Sequence, residues 1–291
     1  MPSLKPRTSE WILAAYFAYT SILALLLSLQ PGMTARILSV NTALVLLYAL
    51  VLRARILRDW MPLTLVLLAY KEMGWFAPSW HDYRLEKSWV VLDRLVLGDW
   101  RLRNLIESLG PVIPSVLELC YLLVYALPVV IMAMLYIFGL RDRAGVFLTY
   151  YLLGLFLSYV QFPFWPSEPP RTVFPGENAP LIDTFLRRAN LFLVGTQGIH
   201  TSVFPSAHVS GALAAAFGVR RAVPEKPWFW RGVLIYALLV AVATVYGRYH
   251  YLVDAIAGLG VGAFVGQIGN LREAAGRAIL SRTETVRTPG P

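Results

Sequence analysis

The sequence is poor in charge and in cysteine. Charged residues make up only 15% of the 291 residues, whereas hydrophobic residues make up 57%. So few charges cannot cover the surface of a soluble domain of this length, and the composition therefore predicts an integral membrane protein. The single cysteine, Cys120, lies within an apolar run, which excludes an internal disulfide and a cluster of thiolate ligands. The sequence also lacks an internal repeat.

The net charge of +9 comes from basic residues in short clusters between apolar runs. This distribution disfavours nucleic acid as a partner and is typical of a chain oriented in a bilayer. Eight apolar runs are long enough to predict helices, so the expected fold class is an all-α, polytopic membrane helical bundle. The runs cover residues 11–28, 37–52, 61–77, 116–139, 144–164, 208–219, 232–246 and 252–269. The run at 61–77 contains Lys71 and Glu72, so the sequence leaves open whether it spans fully.

The basic clusters fall between alternate runs, on one side of the predicted bundle. By the positive-inside rule this side is cytoplasmic, so both chain ends are expected there and the long connections at 78–115 and 165–207 on the opposite side. The cell membrane is the expected location. The residues of these clusters are Lys5, Arg7, Arg53, Arg55, Arg58, Arg141, Arg143, Arg220, Arg221, Lys226, Arg231, Arg272, Arg277 and Arg282.

Three regions follow from this pattern. Residues 1–115 hold the first transmembrane helices and a tryptophan-rich segment, 116–270 form a helical core, which the residues described next predict to be catalytic, and 271–291 form a cytoplasmic tail. In the segment at 78–115, Trp80, Trp89 and Trp100 alternate with charged residues at roughly helical spacing, which predicts interfacial helices. The same pattern fits a helical cap over the bundle that has no role towards substrate.

Two histidines and a carboxylate occur where an apolar chain rarely tolerates them. His208 opens one apolar segment and His250 follows the next, so both are expected on the extracytoplasmic side. On a helix, His250 and Asp254 would share one face, and the carboxylate would hold one ring nitrogen while the other stays free. Ionisable groups at membrane depth usually mark a functional site.

Three motifs surround these residues: PSEPPR at 166–171, FPSAH at 204–208 and RYHYLVD at 248–254. In this order they resemble the type 2 phosphatidic acid phosphatase superfamily, and within it the branch of the inositol phosphorylceramide synthases, the aureobasidin-resistance proteins. The resemblance covers about residues 160–262. It implies a membrane lipid phosphotransferase or phosphatase that works without a metal or other cofactor.

The resemblance also implies roles for single residues. His250 attacks phosphorus, Asp254 orients it, and His208 protonates the departing oxygen and then activates the acceptor, which agrees with general acid–base and nucleophilic catalysis. The substrate is a phosphorylated lipid, and the acceptor is a hydroxyl group in a transferase or water in a phosphatase. The oligomeric state is not implied. The groups expected to bind the phosphate are Arg171, Arg248, the Ser206 hydroxyl and the backbone N–H groups near Ala207.

The sequence departs from the superfamily pattern at two cations. The lysine that opens the first signature of the superfamily has no counterpart before Arg171. An arginine is expected six residues before the nucleophilic histidine, and Thr244 stands there. Arg248 either replaces this cation or extends to the membrane interface. Glu168 either pairs with Arg171 or repels the phosphate.

Two other classes of function remain possible from the sequence. A zinc-dependent intramembrane hydrolase would use His208, His250 and Asp254 as ligands, although the chain has no His-Glu-x-x-His pattern. A transporter would line its path with the same groups, although the chain shows no related halves.

Overall fold

The computed structural model describes the backbone of residues 5–287 and the side chains of residues 5–269. Within this range all regular secondary structure is helical and no β-strand is present, so the predicted all-α fold class is confirmed. The helices are α1 Thr8–Leu26, α2 Met33–Val51, α3 Arg55–Met73, α4 Arg84–Asp93, α5 Leu102–Glu107, α6 Val112–Leu123, α7 Leu127–Ile137, α8 Ala144–Tyr159, α9 Pro170–Val173, α10 Phe185–Gln197, α11 Ala207–Ala222, α12 Pro227–Tyr246 and α13 Leu252–Arg287.

Each predicted run corresponds to helix, but the run at 116–139 is not one helix. It divides into α6 and α7, which are bent by 72°. Pro128 lies in the first turn of α7. Proline has no N–H to donate and its ring clashes with the carbonyl four residues earlier, so a continuous helix through this position is disfavoured. The predicted tail at 271–291 is helical as far as Arg287, and its side chains lie outside the described residues.

In the described part of the chain, four helices are long and apolar enough to cross a membrane: α1, α2, α12 and the first part of α13. The bent pair α6 and α7 raises this number to five if the pair is one span. The other predicted spans coincide with shorter or more polar helices. Both α8 and α11 have 16 residues, about 24 Å at ~1.5 Å per residue, and α3 contains five charged residues.

Helix α11 lies at the centre of the C-terminal half, where α8, α12 and α13 pack around it. The middle of α11 consists of small buried residues, which allow the neighbouring helices to approach closely. These residues are Ala212, Ala214, Ala215 and Ala216. On α13, the glycines that recur every fourth residue face α11, as expected for a packing seam: Gly258 lies against Ser206, Gly262 against Leu213 and Gly266 against Phe217.

The closest approach in this core is between α8 and α11 at Gly154. The Cβ atom of an alanine at 154 would lie 2.4 Å from the Cβ atom of Ala214 and 2.9 Å from the Ser210 carbonyl oxygen. We therefore expect Gly154→Ala to lower the free energy of unfolding by about 1–3 kcal/mol, because the helices must separate. The thermal midpoint in detergent checks this. Gly260→Ala is the control, since no atom lies within 4 Å of its new Cβ atom, and an equal fall in both variants would contradict the packing argument.

Ion pairs join the predicted cytoplasmic turns to one another. The Asp59 carboxylate binds Arg7 at 2.5 Å and Arg141 at 2.8 Å, and Glu10 binds Arg58 at 2.5 Å. The Arg143 guanidinium donates to the carbonyl of Ala222, the last residue of α11, at 2.9 Å. Because His208 is the second residue of the same helix, the charged cluster and the histidine lie at opposite ends of α11.

Candidate active site

The two histidines singled out in the sequence meet at one end of the bundle. His208 lies in the first turn of α11, and His250 lies in the short turn between α12 and α13. The Nδ1 atom of His208 is 3.2 Å from the Nε2 atom of His250. The side chains are 42 residues apart in sequence, so the packing of α11 against α12 and α13 brings them into contact.

The other ring nitrogen of His250 is held by the protein. Its Nδ1 atom lies 3.0 Å from the Val203 carbonyl oxygen and 3.4 Å from Asp254 Oδ2. A carbonyl oxygen only accepts, so Nδ1 carries the hydrogen and Nε2 presents its lone pair. Burial, the neighbouring His208 and the charge of Arg171 lower the pKa of His250 well below its usual value, which favours the neutral imidazole.

The structure corrects the expected arrangement of His250 and Asp254. His250 precedes α13, which begins at Leu252, so the two residues are not both on a helix. Asp254 is fully buried, and its Oδ2 atom also accepts the Tyr251 N–H at 2.8 Å. The carboxylate therefore fixes the backbone that follows His250 and faces its imidazole at the same time.

His208 has a second partner that the sequence did not indicate. The Tyr125 hydroxyl lies 3.1 Å from the Nε2 atom of His208. Because Nδ1 of His250 carries the hydrogen, its Nε2 atom must accept from His208 Nδ1. The Nε2 atom of His208 then accepts from the Tyr125 hydroxyl, so the hydrogen bonds run from Tyr125 through His208 to His250. Tyr125 lies at the break between α6 and α7, where the sequence predicted an uninterrupted helix.

The residues before His208 connect two of the motifs. Ser206 is the N-cap of α11, and its hydroxyl accepts the Val209 N–H at 3.4 Å. The Ser206 N–H donates to the carbonyl oxygen of Asp254 at 3.0 Å. The first N–H groups of a helix have no partner within the helix, so those of Ala207 and His208 are donors of the kind that an anion binds.

Arg171, from the proline-rich motif, lies beside the His250 turn in the short helix α9. Its NH1 atom donates to the Tyr249 carbonyl oxygen at 3.4 Å, and its guanidinium lies 5.8 Å from the centre of the Tyr249 ring. The Arg171 N–H also donates to the Arg248 carbonyl oxygen at 3.3 Å. These contacts place a cation beside the turn that carries His250.

Arg248 is placed differently from the interfacial residue that the sequence allowed. Its side chain is only 1% exposed and forms an ion pair with Asp93, so the interpretation as a residue that reaches the membrane interface is wrong. Its backbone has a positive φ of 61°, and its Nε and NH2 atoms have no hydrogen-bond partner among the described side chains. Thr244, which stands where the superfamily has an arginine, stabilises the turn that carries His250. Its carbonyl oxygen accepts hydrogen bonds from the N–H groups of Tyr249 and His250 at 2.9 and 3.0 Å.

A buried cluster around Glu118 was missed by the sequence analysis. The carboxylate accepts hydrogen bonds from Tyr249 at 2.6 Å, from Asn190 at 2.7 Å and from Arg187 at 3.2 Å. The Tyr249 ring also stacks on Tyr121 at 3.9 Å. A signal was available, since Glu118 is the one carboxylate in the run at 116–139 and intramembrane carboxylates need partners. The cluster fixes the residue next to His250.

Glu168 pairs with neither Arg171 nor the histidine pair. Its carboxylate accepts a hydrogen bond from the Tyr83 hydroxyl at 3.0 Å and lies 3.6 Å from His200.

A cavity of about 350 Å³ lies beside Arg171. It is lined by the three arginines Arg171, Arg187 and Arg248, by Glu177, and by apolar residues that include Phe174 and Leu191. In the part of the chain with described side chains, no group of three or more His, Cys, Asp or Glu residues has the geometry to hold a metal ion.

Fold and site together define a class, a polytopic helical membrane protein in which two imidazoles pair beside an arginine at one end of the bundle. A model of the PAP2 superfamily matches residues 88–266, and the chain belongs to this superfamily. No curated protein and no solved structure matches the chain. The predicted superfamily is therefore confirmed, and membership supports lipid phosphatase or phosphotransferase activity.

Proposed function

We propose that the protein transfers a phosphoryl group from a phosphorylated lipid through a covalent intermediate on His250. The observation that supports this most is the pairing of His250 Nε2 with His208 Nδ1 at 3.2 Å, while Nδ1 of His250 is anchored by the Val203 carbonyl. The contact shows that the two imidazoles face one point, where an entering phosphate takes the place of the hydrogen bond between them, and the nucleophile keeps the third group that orients it.

The proposed reaction has two steps. In the first, His250 Nε2 attacks phosphorus, and the bond from phosphorus to the lipid oxygen breaks. His208, which becomes imidazolium when the anionic phosphate binds beside it, gives its proton to that oxygen. In the second, His208 removes the proton of the acceptor hydroxyl, the acceptor oxygen attacks phosphorus, and the phosphorus–nitrogen bond breaks. Arg171 and the N–H groups at the start of α11 stabilise the charge on the other phosphate oxygens.

We further propose that the acceptor is a lipid or polyol hydroxyl, as in the inositol phosphorylceramide synthases. The proline-rich motif at 166–171 supports this branch, and the cavity beside Arg171 offers guanidinium donors to a hydroxyl-rich or phosphorylated head group. A plain phosphatase, with water as the acceptor, uses the same histidines.

The purified enzyme in detergent, given a phospholipid labelled in its phosphate, tests the activity and separates these outcomes. Transfer of the label to ceramide or a polyol supports the transferase. Release to water, as free phosphate from a monoester or as a phosphorylated head group from a diester, shows water as the acceptor, and turnover unchanged in His250→Ala contradicts both. We expect full activity after exhaustive chelation. Its loss, with recovery on addition of zinc, would favour the zinc hydrolase, and substrate flux into vesicles without phosphate chemistry would favour the transporter.

The proposed orientation places the histidine pair on the extracytoplasmic side and both chain ends in the cytoplasm. The ion pairs that join the basic turns far from His208 support a single charged face. In a Cys120→Ser background, a membrane-impermeant maleimide added to intact cells is expected to label Leu181→Cys and not Asp142→Cys. The reverse pattern would contradict this orientation.

A further inference from the structure

Helix α4, in the tryptophan-rich segment, buries two carboxylates on one face. Its buried residues are Glu86, Val90 and Asp93, spaced at i, i+4 and i+7, which is a single stripe on an α-helix. Glu86 and Asp93 are both 0% exposed. Burying a carboxylate costs several kcal/mol unless it is hydrogen-bonded or paired with a cation. The partners of Glu86 and Asp93 therefore indicate which segments these carboxylates stabilise.

Asp93 holds the turn that carries His250 at both ends. One carboxylate oxygen forms the ion pair with Arg248, two residues before His250. The other accepts the N–H of Leu252, two residues after it, at 2.8 Å. A single side chain from α4 therefore fixes the backbone on either side of His250.

Glu86 holds the loop that carries Arg171. Its Oε1 atom accepts the backbone N–H of Glu168 at 2.9 Å and lies 2.7 Å from Nε2 of His81. Between the two carboxylates, the Trp89 ring stacks on Phe204 at 4.9 Å, in the motif that leads to His208. One helix thus contacts all three motifs of the site.

We infer that α4 is a positioning element of the active site, in which Asp93 sets the His250 turn and Glu86 sets the Arg171 loop. This inference rests on the proposed function. It replaces the alternative of a helical cap without a role towards substrate. Because the two carboxylates hold different loops, they control different kinetic constants: Asp93 controls the attack by His250, and Glu86 controls the affinity for the phosphate.

The test compares Asp93→Asn and Glu86→Gln in the purified full-length enzyme with a phosphorylated lipid. We expect Asp93→Asn to lower kcat about 100-fold with little change in KM, since a displacement of about 1 Å at a reacting group costs this much. We expect Glu86→Gln to raise KM, and the inhibition constant of vanadate, about tenfold with a smaller change in kcat, because a charge-assisted hydrogen bond to the Arg171 loop is weakened. Asp93→Glu, which retains the charge, should show an intermediate fall in kcat.

Two controls separate positioning from stability. Asp82→Asn removes an exposed carboxylate next to α4 that pairs with Arg84, and its kinetics should match the parent enzyme. Gly218→Ala crowds α8 near the end of α11 that lies far from His208, where the new Cβ atom would lie 3.1 Å from the Phe147 carbonyl oxygen. At an equal loss in thermal midpoint it should retain most of its kcat. Falls in kcat that follow thermal stability across all variants, or proportional changes of kcat and KM in both α4 variants, would overturn the inference. A parent enzyme that forms no phosphoenzyme would instead overturn the proposed function.

Discussion

Replacing His250 with alanine is expected to lower kcat by about 10⁴-fold or more, the largest effect of any single substitution in this chain. The side chain supplies the attacking nitrogen, and no neighbouring group can take its place. The nearest imidazole, His208, is oriented with Nδ1 towards the vacated position and Nε2 towards Tyr125. Steady-state turnover of a phosphorylated lipid by the purified variant measures the effect.

The matched control for this substitution is His200→Ala. His200 is 71% exposed in its side chain and pairs with Glu168 on the same loop side of the protein, without contact to the histidine pair. Its removal should leave kcat close to that of the parent enzyme. Equal losses in the two variants would mean that the assignment of His250 as nucleophile is incorrect.

Replacing His208 with alanine is expected to have the second largest effect, and that effect should depend on the leaving group. General acid catalysis contributes about 10²–10⁴-fold when the departing oxygen needs a proton. With a lipid alcohol as leaving group, we therefore expect phosphorylation of His250 to slow by about this factor. With p-nitrophenyl phosphate, whose leaving group departs without a proton, phosphorylation should stay fast.

The second step gives the same variant a separate signature. Because His208 also activates the acceptor, the phosphoenzyme formed from p-nitrophenyl phosphate should accumulate in His208→Ala and decay slowly. A burst of nitrophenol followed by a slow steady state, recorded by stopped flow, is the expected result. Equal losses with both substrates and no burst would contradict the role of His208 as acid and base.

The sequence was sufficient to predict the helices and to place the two histidines at one end of the bundle. Apolar runs predict helices directly, since a bilayer demands uninterrupted backbone hydrogen bonding. In the described part of the chain, however, only four or five of these helices are long and apolar enough to cross a membrane. Connectivity placed His208 and His250 at the same end of the bundle, and the packing of α11 against α12 and α13 brings the two rings into contact. The details that depend on one turn of backbone were less predictable: His250 lies just before α13, and Pro128 breaks the run that contains Tyr125.

The partners of the buried charges could not be predicted, because they are distant in sequence. Arg248 is 155 residues from Asp93, and Tyr249 is 131 residues from Glu118. From the sequence, an arginine beside a histidine is predicted to be a phosphate ligand or an interfacial residue. Only the packing of α4 against the His250 turn shows that the Arg248 guanidinium pairs with the Asp93 carboxylate. Amphipathicity likewise placed α4 at the interface without indicating which loops its buried face contacts.

Direct identification of the phosphorylated residue tests the central claim. The parent enzyme is mixed with a phosphate-labelled lipid, quenched with base within one turnover, digested and examined by mass spectrometry. We predict a base-stable, acid-labile phosphoryl group on Nε2 of His250, absent from His250→Ala and present in His200→Ala. A phosphoryl group on another residue, or full turnover with no labelled protein at any time, would contradict the account.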